Sequence, residues 1–341
     1  MNIGFIQSWP HSFAYGGQEY QTQCLIDAIN LNSGYTAKLV DWNKTIEDFD
    51  IYHIVGNSWH MSEVLRFIPA SAPYVVSAIH GVRQDSFAKR AVKIGFSKLG
   101  KLLGEKTHYD ALRKIFNEAA HVTALTSTSA KFLISRYKIS SDNTSVIMNG
   151  VSDQLLSLGN KLRLNENRND ILILGSICHR KSSKEIVEFS KSREGQSYVF
   201  HFVGKGLPNE DQYFNDFKAE VEISSNIIYH GHVEKMNPSF IRIVKQCGIL
   251  LMPSKEETQS LAALECIALG LSCVFLDRNY AKENPFNVYP RVSNLQNNFE
   301  IDSAIRKAKS LIHVNREIPS WNDIATQYIE IYEAQIRSFS H

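Results

Sequence analysis

Two glutamates separated by seven residues, Glu257 and Glu265, lie in the run Met252-Pro-Ser-Lys-Glu-Glu-Thr-Gln-Ser-Leu-Ala-Ala-Leu-Glu-Cys-Ile-Ala-Leu-Gly270. The run begins where an apolar strand pattern, Gly248 to Met252, ends in Pro253-Ser254. It closes as a helix whose apolar positions Leu261, Leu264, Ile267 and Ala268 recur at three- and four-residue spacing. Glu257 is therefore expected in the loop at the strand's carboxyl end, and Glu265 about two turns into the helix that follows. Ligands of open α/β sheets bind outside the carboxyl ends of the strands. Carboxylates placed there can accept from the hydroxyls of a sugar or a ribose, and the amides of a helix N-terminus beside them can meet phosphate. Taken alone, a pair of glutamates reads as solvated helix-face residues. Gly16-Gly17 follows the first strand pattern, and a glycine pair lets backbone amides approach a phosphate closely, though it also suits a plain strand-to-helix turn. His80 follows the strand pattern Tyr74 to Ile79, and Lys181 lies six residues after Gly175 in Ile171-Leu-Ile-Leu-Gly-Ser-Ile-Cys-His-Arg-Lys181.

The elements that must position these residues alternate along the chain. Short apolar runs at Ile3 to Gln7, Ala37 to Trp42, Ile51 to Val55, Tyr74 to Ile79, Val122 to Thr126 and Ser145 to Met148 form a first set. A second set is Ile171 to Ile177, Tyr198 to Val203, Ile227 to His230, Gly248 to Met252 and Cys273 to Leu276. Helical patterns between them predict βαβ units and parallel sheets, an α/β protein. The length of 341 residues suits two domains, and an apolar fraction of 43% is ample for two cores. We expect a first Rossmann-like domain over 1–151, a polar linker over 152–170, a second Rossmann-like domain over 171–320 and a final helix within 321–341. That helix, Trp321 to Ile336, is amphipathic, with Ile324, Tyr328, Ile331, Tyr332 and Gln335 near one face. The net charge of +2 gives no argument for nucleic acid as a partner. Five cysteines, without C-x-x-C spacing and mostly in apolar runs, read as reduced core residues. No signal peptide pattern precedes the first strand and no apolar run reaches about 18 residues, so a cytoplasmic protein is expected.

The run from Pro253 resembles the donor-site motif of retaining glycosyltransferases of the GT-B fold, family 4 (glycosyl transferases group 1). That motif reads Pro-Ser-x-x-Glu-Gly-Phe-Gly-x-x-x-Leu-Glu-Ala-x-Ala-x-Gly. Pro253, Ser254, Glu257, Leu264, Glu265, Ala268 and Gly270 match in register, while Thr258-Gln259-Ser260 stand where the motif has Gly-Phe-Gly. The likeness extends to Gly16-Gly17, His80-Gly81 and Asn149-Gly150-Val151. It also takes in the Gly-Arg-x-x-x-x-Lys-Gly pattern at Gly175 to Lys181, where Ser176 replaces the arginine. Phe202-Val-Gly204-Lys-Gly206 and Tyr229-His-Gly-His232-Val233 match further strand-end loops.

The resemblance implies two Rossmann-like domains facing across a cleft, with the C-terminal helix crossing back to the first. It implies transfer of a sugar, with retention, from a nucleotide-diphosphate sugar. Catalytic roles fall on His80, Glu257 and Lys181. Glu257 and His80 would orient the sugar and Glu265 would hold the ribose. Lys181, with amides at Gly16 and Gly17, would stabilise the leaving diphosphate. Gly175, Arg180, Gly204, His232, Val233, Thr258, Gln259, Ser260 and Leu261 complete the implied donor-binding set. No metal and no cofactor are expected, and a UDP-sugar is expected ahead of a GDP-sugar. The acceptor would be a sugar or a lipid-linked saccharide, in bacterial surface polysaccharide or glycoconjugate synthesis. Two alternatives stay open: a GT-B nucleotide-sugar epimerase, and a non-catalytic nucleotide-sugar-binding protein.

Two other patterns carry less. Asp48-Phe49-Asp50 spells a metal-binding Asp-x-Asp, but it directly precedes the strand Ile51 to Val55 and reads as a strand entry. Residues 83–106 hold seven cations and two acids, with Val92, Phe96, Leu99 and Leu103 on one stripe. A basic amphipathic helix there would suit peripheral attachment to an anionic membrane surface on the inner face, and equally a solvated face of the first domain.

Overall fold

The computed structural model describes residues 1–7, 16–42, 48–79, 107–162, 164, 169–311 and 317–339. His80 and the basic stretch 83–106 lie outside the described residues. In chain order the elements begin with β1 (Asn2–Gln7), α1 (Gly17–Asn30), β2 (Thr36–Leu39), β3 (Ile51–Val55), α2 (Met61–Val64) and β4 (Tyr74–Ala78). They continue with α3 (His108–Glu118), β5 (His121–Ala124), α4 (Ser127–Tyr137), β6 (Thr144–Val146), α5 (Asp153–Lys161) and β7 (Asp170–Leu174). Next come α6 (Ser183–Lys191), β8 (Val199–Val203), α7 (Asp211–Glu222), β9 (Ile227–Tyr229), α8 (Pro238–Gln246) and β10 (Ile249–Met252). The last are α9 (Leu261–Ala268), β11 (Ser272–Leu276), β12 (Arg291–Val292), α10 (Asn298–Lys309) and α11 (Trp321–Phe339).

The chain divides into two units. One is Met1–Gly150 together with Trp321–His341; the other is Val151–Ser320. Each holds a six-stranded sheet, ordered β2-β1-β3-β4-β5-β6 in the first and β12-β11-β10-β7-β8-β9 in the second. All pairings are parallel. Strands buried on both faces explain why the sequence shows continuous apolar runs rather than alternation.

In the first unit, one sheet face packs Ile6, Tyr52, Ile54, Val76 and Val122 against Leu112, Ile115 and Phe116 of α3 and Leu133 and Tyr137 of α4. The other face carries a buried polar chain. His53 Nδ1 lies 2.6 Å from Tyr332 Oη, and His53 Nε2 lies 2.7 Å from Ser77 Oγ. Tyr328 Oη bridges Ser77 Oγ at 2.8 Å and Thr123 Oγ1 at 3.0 Å. The amphipathic C-terminal helix α11 is thus fastened to β3, β4 and β5. Burial lowers the His53 pKa to about 3, so the ring is neutral.

In the second unit, Val151 N donates to Pro319 O at 2.9 Å, so the chain enters and leaves this unit side by side. The stretch expected as a linker contains helix α5, capped by Ser152 Oγ accepting from Leu155 N at 3.3 Å. A Cβ on Gly159 would lie 1.8 Å from Ala268 O, so α5 sits directly against the end of α9. Leu155 anchors it, and Leu155, Leu158 and Leu162 recur at helical spacing within a stretch otherwise polar enough to read as a linker. Strand β7 is shorter than expected because Gly175, at φ +139°, interrupts the regular strand after Leu174, although the chain stays paired to its neighbour as far as Ile177. Strand β12 has two residues and no readable periodicity. Among the described residues no helix is long and apolar enough to cross a membrane. None of the five cysteines is in a disulfide, and Cys178, Cys247, Cys266 and Cys273 are buried.

Candidate active site

Strand-end loops of the second unit build the site. Beyond β7, Gly175 N donates to Val203 O at 3.0 Å and Ile177 N to Lys205 O at 2.9 Å, so the β7 and β8 loops stay zipped past their strands. Gly204 N in turn donates to Gly231 O at 2.8 Å, bringing in the β9 loop. This close approach needs glycine: Gly204 has φ +153°, and a Cβ there would lie 1.8 Å from Gly175 O. A Cβ on Gly175, itself at φ +139°, would come within 3.4 Å of the Lys181 side chain.

Lys181 closes a short 3₁₀ turn, His179–Lys181, before Ser182 enters α6 in the left-handed region at φ +54°. The motif has glycine at the Ser182 position, and here a serine takes the conformation that favours glycine. Lys181 Nζ donates to Glu257 Oε1 at 2.5 Å, and Arg180 Nη1 reaches the same oxygen at 2.9 Å. Arg180 also donates to Glu256 O at 2.9 Å, and Lys255 N donates to Arg180 O at 2.8 Å. The β7 and β10 loops are therefore joined by charge and by backbone. Burial pushes the Glu257 carboxyl up, but the Lys181 and Arg180 charges outweigh it and hold it below the ordinary carboxylate range. Gly175, Ser176, Lys181, Ser183, Met252 and Ser254 line a small pocket beside this pair. Tyr280 Oη, donating to Ser254 O at 3.0 Å, steadies the loop from below.

Glu265 is 3% exposed on α9, and Oε1 of its carboxylate accepts from Lys235 Nζ at 2.7 Å. Where the motif has Gly-Phe-Gly, Thr258 is half-buried, Gln259 and Ser260 are buried, and Ser260 Oγ accepts from Ala263 N at 3.3 Å to cap α9. Leu261 is the first residue of α9. In the β9 loop His232 is exposed and Val233 half-exposed.

The structure thus brings Gly175, Arg180, Lys181 and Glu257 together, and sets Gly204 on the same zipped loops. Gly16 and Gly17 belong to the first unit. There Gly16 N donates to Glu19 Oε2 at 2.8 Å, so that amide is occupied by a capping carboxylate, and Gly17 opens α1. The Glu three residues after Gly16 was a readable capping signal. Asp50 Oδ2 accepts from Asn2 N at 2.7 Å, which makes it a strand-entry clasp for β1. Lys235 and Tyr280 were not singled out by the sequence reading, since only the fold places them here. A larger hollow of about 880 Å³ in the same unit, between β12 and α10, is lined by Arg291, Phe299 and Lys307 among others and contains none of the expected site residues.

Residues 158–284 match the family described as "Glycosyl transferases group 1", and residues 25–155 match "Glycosyltransferase Family 4". Between them the matches take up well over half of the chain, one in each unit. The chain belongs to the GT-B glycosyltransferases of the group 1/family 4 type. Solved structures similar to this glycosyltransferase include sucrose-phosphate synthase (tll1590) from Thermosynechococcus elongatus, at 15% identity and TM-score 0.71, covering 99% of both chains. A glycosyltransferase from Rickettsia africae ESF-5 matches at 15% identity and TM-score 0.67, covering 98% of both chains. Anabaena Alr3699/HepE, solved with UDP and glucose, matches at 14% identity and TM-score 0.63, covering 99% of both chains. At such identity they establish a shared fold: two parallel six-stranded sheets with helices, as in GT-B enzymes. Comparison with curated protein sequences returns no match.

Proposed function

We propose that this glycosyltransferase transfers a sugar, with retention, from a nucleotide-diphosphate sugar bound at the strand ends of the second unit. The observation that carries the reading is the convergence of Lys181 and Arg180 on one oxygen of Glu257. Two cations on consecutive residues, drawn to one carboxylate at the carboxyl ends of parallel strands, form a site suited to a doubly charged diphosphate. When the diphosphate takes these cations, the Glu257 carboxylate is released to accept from sugar hydroxyls. As the bond to the sugar breaks, Lys181 and Arg180 meet the charge that develops on the leaving oxygen. These fixed cations supply the charge that a divalent metal would otherwise supply, so the transfer is proposed to be metal-independent. Glu265, buried and ionically held, is assigned to the ribose hydroxyls.

The donor is proposed to be a UDP-sugar, which is supported by the UDP and glucose in the HepE structure. A hexose is the proposed transferred group. The acceptor is proposed to be a sugar or lipid-linked saccharide of a bacterial surface glycan. The deciding experiment incubates the purified protein with UDP-, GDP-, ADP- and dTDP-hexoses and follows nucleotide release and the anomeric configuration of the product by NMR. Release of UDP with formation of the donor's own anomer is the expected result. An epimeric sugar nucleotide in place of released UDP would make the protein an epimerase. Donor binding without release or epimerisation would make it a binding protein.

A further inference from the structure

We propose that Lys235 is a positioning residue of the donor site, which holds and aims the Glu265 carboxylate for the two hydroxyls of a nucleoside ribose. The proposal rests on the donor reading above and adds a residue that neither the motif nor the sequence pattern assigns.

Glu265 sits on α9 at 3% exposure, among Leu264, Cys266 and Ile267, all buried. A lone carboxylate in such surroundings is costly and takes up a proton instead. Once protonated, it keeps less acceptor capacity and gains a donor hydrogen, the wrong complement for a diol that must donate twice. Lys235 gives this carboxylate a counter-charge, with Nζ 2.7 Å from Glu265 Oε1. The lysine side chain is 34% exposed, so the ammonium arrives from the solvent side and keeps part of its hydration. An ionised carboxylate has about four lone-pair directions, and Lys235 meets it on Oε1 alone. The neighbouring Cys266 thiol is pushed up by burial and then by the Glu265 charge, so it stays neutral and does not compete for the lysine.

The backbone shows how the lysine is delivered. Lys235 lies between β9 and α8, on a loop bracketed by two left-handed residues, Gly231 at φ +68° and Met236 at φ +66°. Asn237 then caps α8, its Oδ1 accepting from Ser239 N at 2.9 Å. A non-glycine residue at positive φ is uncommon and is held only where its surroundings demand it. Here it turns the chain so that Lys235 reaches a residue 30 positions further along the chain.

The test measures binding of UDP and of 2′-deoxy-UDP to the full chain by titration calorimetry. It compares the parent with Lys235→Met, Lys235→Arg, Glu265→Ala and the Lys235→Met/Glu265→Ala double variant, each checked for folding by circular dichroism. The parent should prefer UDP over 2′-deoxy-UDP. Lys235→Met should weaken UDP by about tenfold or more and collapse that preference, because a charged hydrogen bond to the ribose is lost. Lys235→Arg should restore both, and the double variant should bind no more weakly than Glu265→Ala alone. A merely structural lysine would leave the preference for the 2′-hydroxyl unchanged. Lys235→Met that binds both ligands like the parent, while Glu265→Ala is weakened, would overturn the role of Lys235 and leave the donor reading standing. Glu265→Ala that binds UDP like the parent, or a parent that binds no UDP, would overturn the donor reading as well.

Discussion

Lys181 Nζ donates to Glu257 Oε1 across 2.5 Å, tying the loop after β7 to the loop after β10. Both side chains are largely buried, at 14% and 13% exposure. The pair is therefore a counter-ion arrangement within the protein, one that a diphosphate would have to displace under the proposed function. Its energetic content is the difference between two arrangements of the same charges, which makes it sensitive to either partner.

Removing the lysine should be felt most in turnover. Lys181→Ala takes away a charge-assisted donor to the leaving group, a loss of about ten- to hundredfold in kcat/KM. Glu257→Ala should mainly lower kcat if, as proposed, its carboxylate orients the sugar through hydroxyl contacts. Steady-state kinetics on folded variants decides it; parent-like rates in both would remove these residues from the site.

Metal removal should leave transfer intact. In excess EDTA the rate is expected to stay at the parent level, since Lys181 and Arg180 supply the charge. Full loss with EDTA, restored by manganese, would point to a metal site that the cations do not replace.

The buried His53 gives a pH dependence with a definite sign. Its folded pKa is depressed to about 3, against an ordinary value near 6.5 in the unfolded chain. Between those values the unfolded state binds more protons, so stability falls as pH drops through this window and is unaffected above it. At pH 5 the cost is about 2 kcal/mol relative to neutral pH. Urea unfolding at pH 7.5 and pH 5.0 should show the parent losing that much more than His53→Gln. Equal losses would mean that the ring is not held neutral.

Tyr332→Phe should cost about 1–3 kcal/mol at pH 7.5, because His53 Nδ1 keeps its burial and loses its 2.6 Å partner. Chemical unfolding of the purified variant measures this directly. An unchanged midpoint would show that the hydroxyl is not the group that fastens α11.

Two glycines separate strain from space. Gly204→Ala places a Cβ 1.8 Å from Gly175 O and should strongly destabilise the protein and disrupt the site. Gly231→Ala meets nothing within 4 Å, although at φ +68° it carries a modest conformational cost. Melting temperatures should fall clearly further for the first; a reversed order would contradict the zipped-loop arrangement.

Much of the frame was legible because parallel strands buried on both faces write themselves as apolar runs. The site's first half was legible because Glu257 and Glu265 follow such a run in a fixed register. The misses share a physical cause. Lys235 meets Glu265 only through the order of β9, β8, β7 and β10 in the sheet, which no local pattern encodes. Strand β12 is two residues long and offers no period to read, whereas α5 carried one, Leu155, Leu158 and Leu162 after the cap Ser152, that its polar composition masked. At Gly16 the sequence pointed to an amide for a diphosphate, whereas the structure gives that amide to Glu19, three residues on.

Helix α11 also sets an order on how the protein comes into being. The hydroxyls of Tyr328 and Tyr332 that complete the His53 face leave the ribosome after residues 1–320 have been synthesised. Val151–Ser320 is by then fully translated and can fold as a unit, while the earlier sheet still presents His53, Ser77 and Thr123 without their cover. A chain truncated before Trp321 would thus keep every segment of the later unit and lack the cover of the earlier one, the inverse of the usual N-to-C sequence. Chaperone demand during translation should therefore concentrate on the part of the chain that is made first.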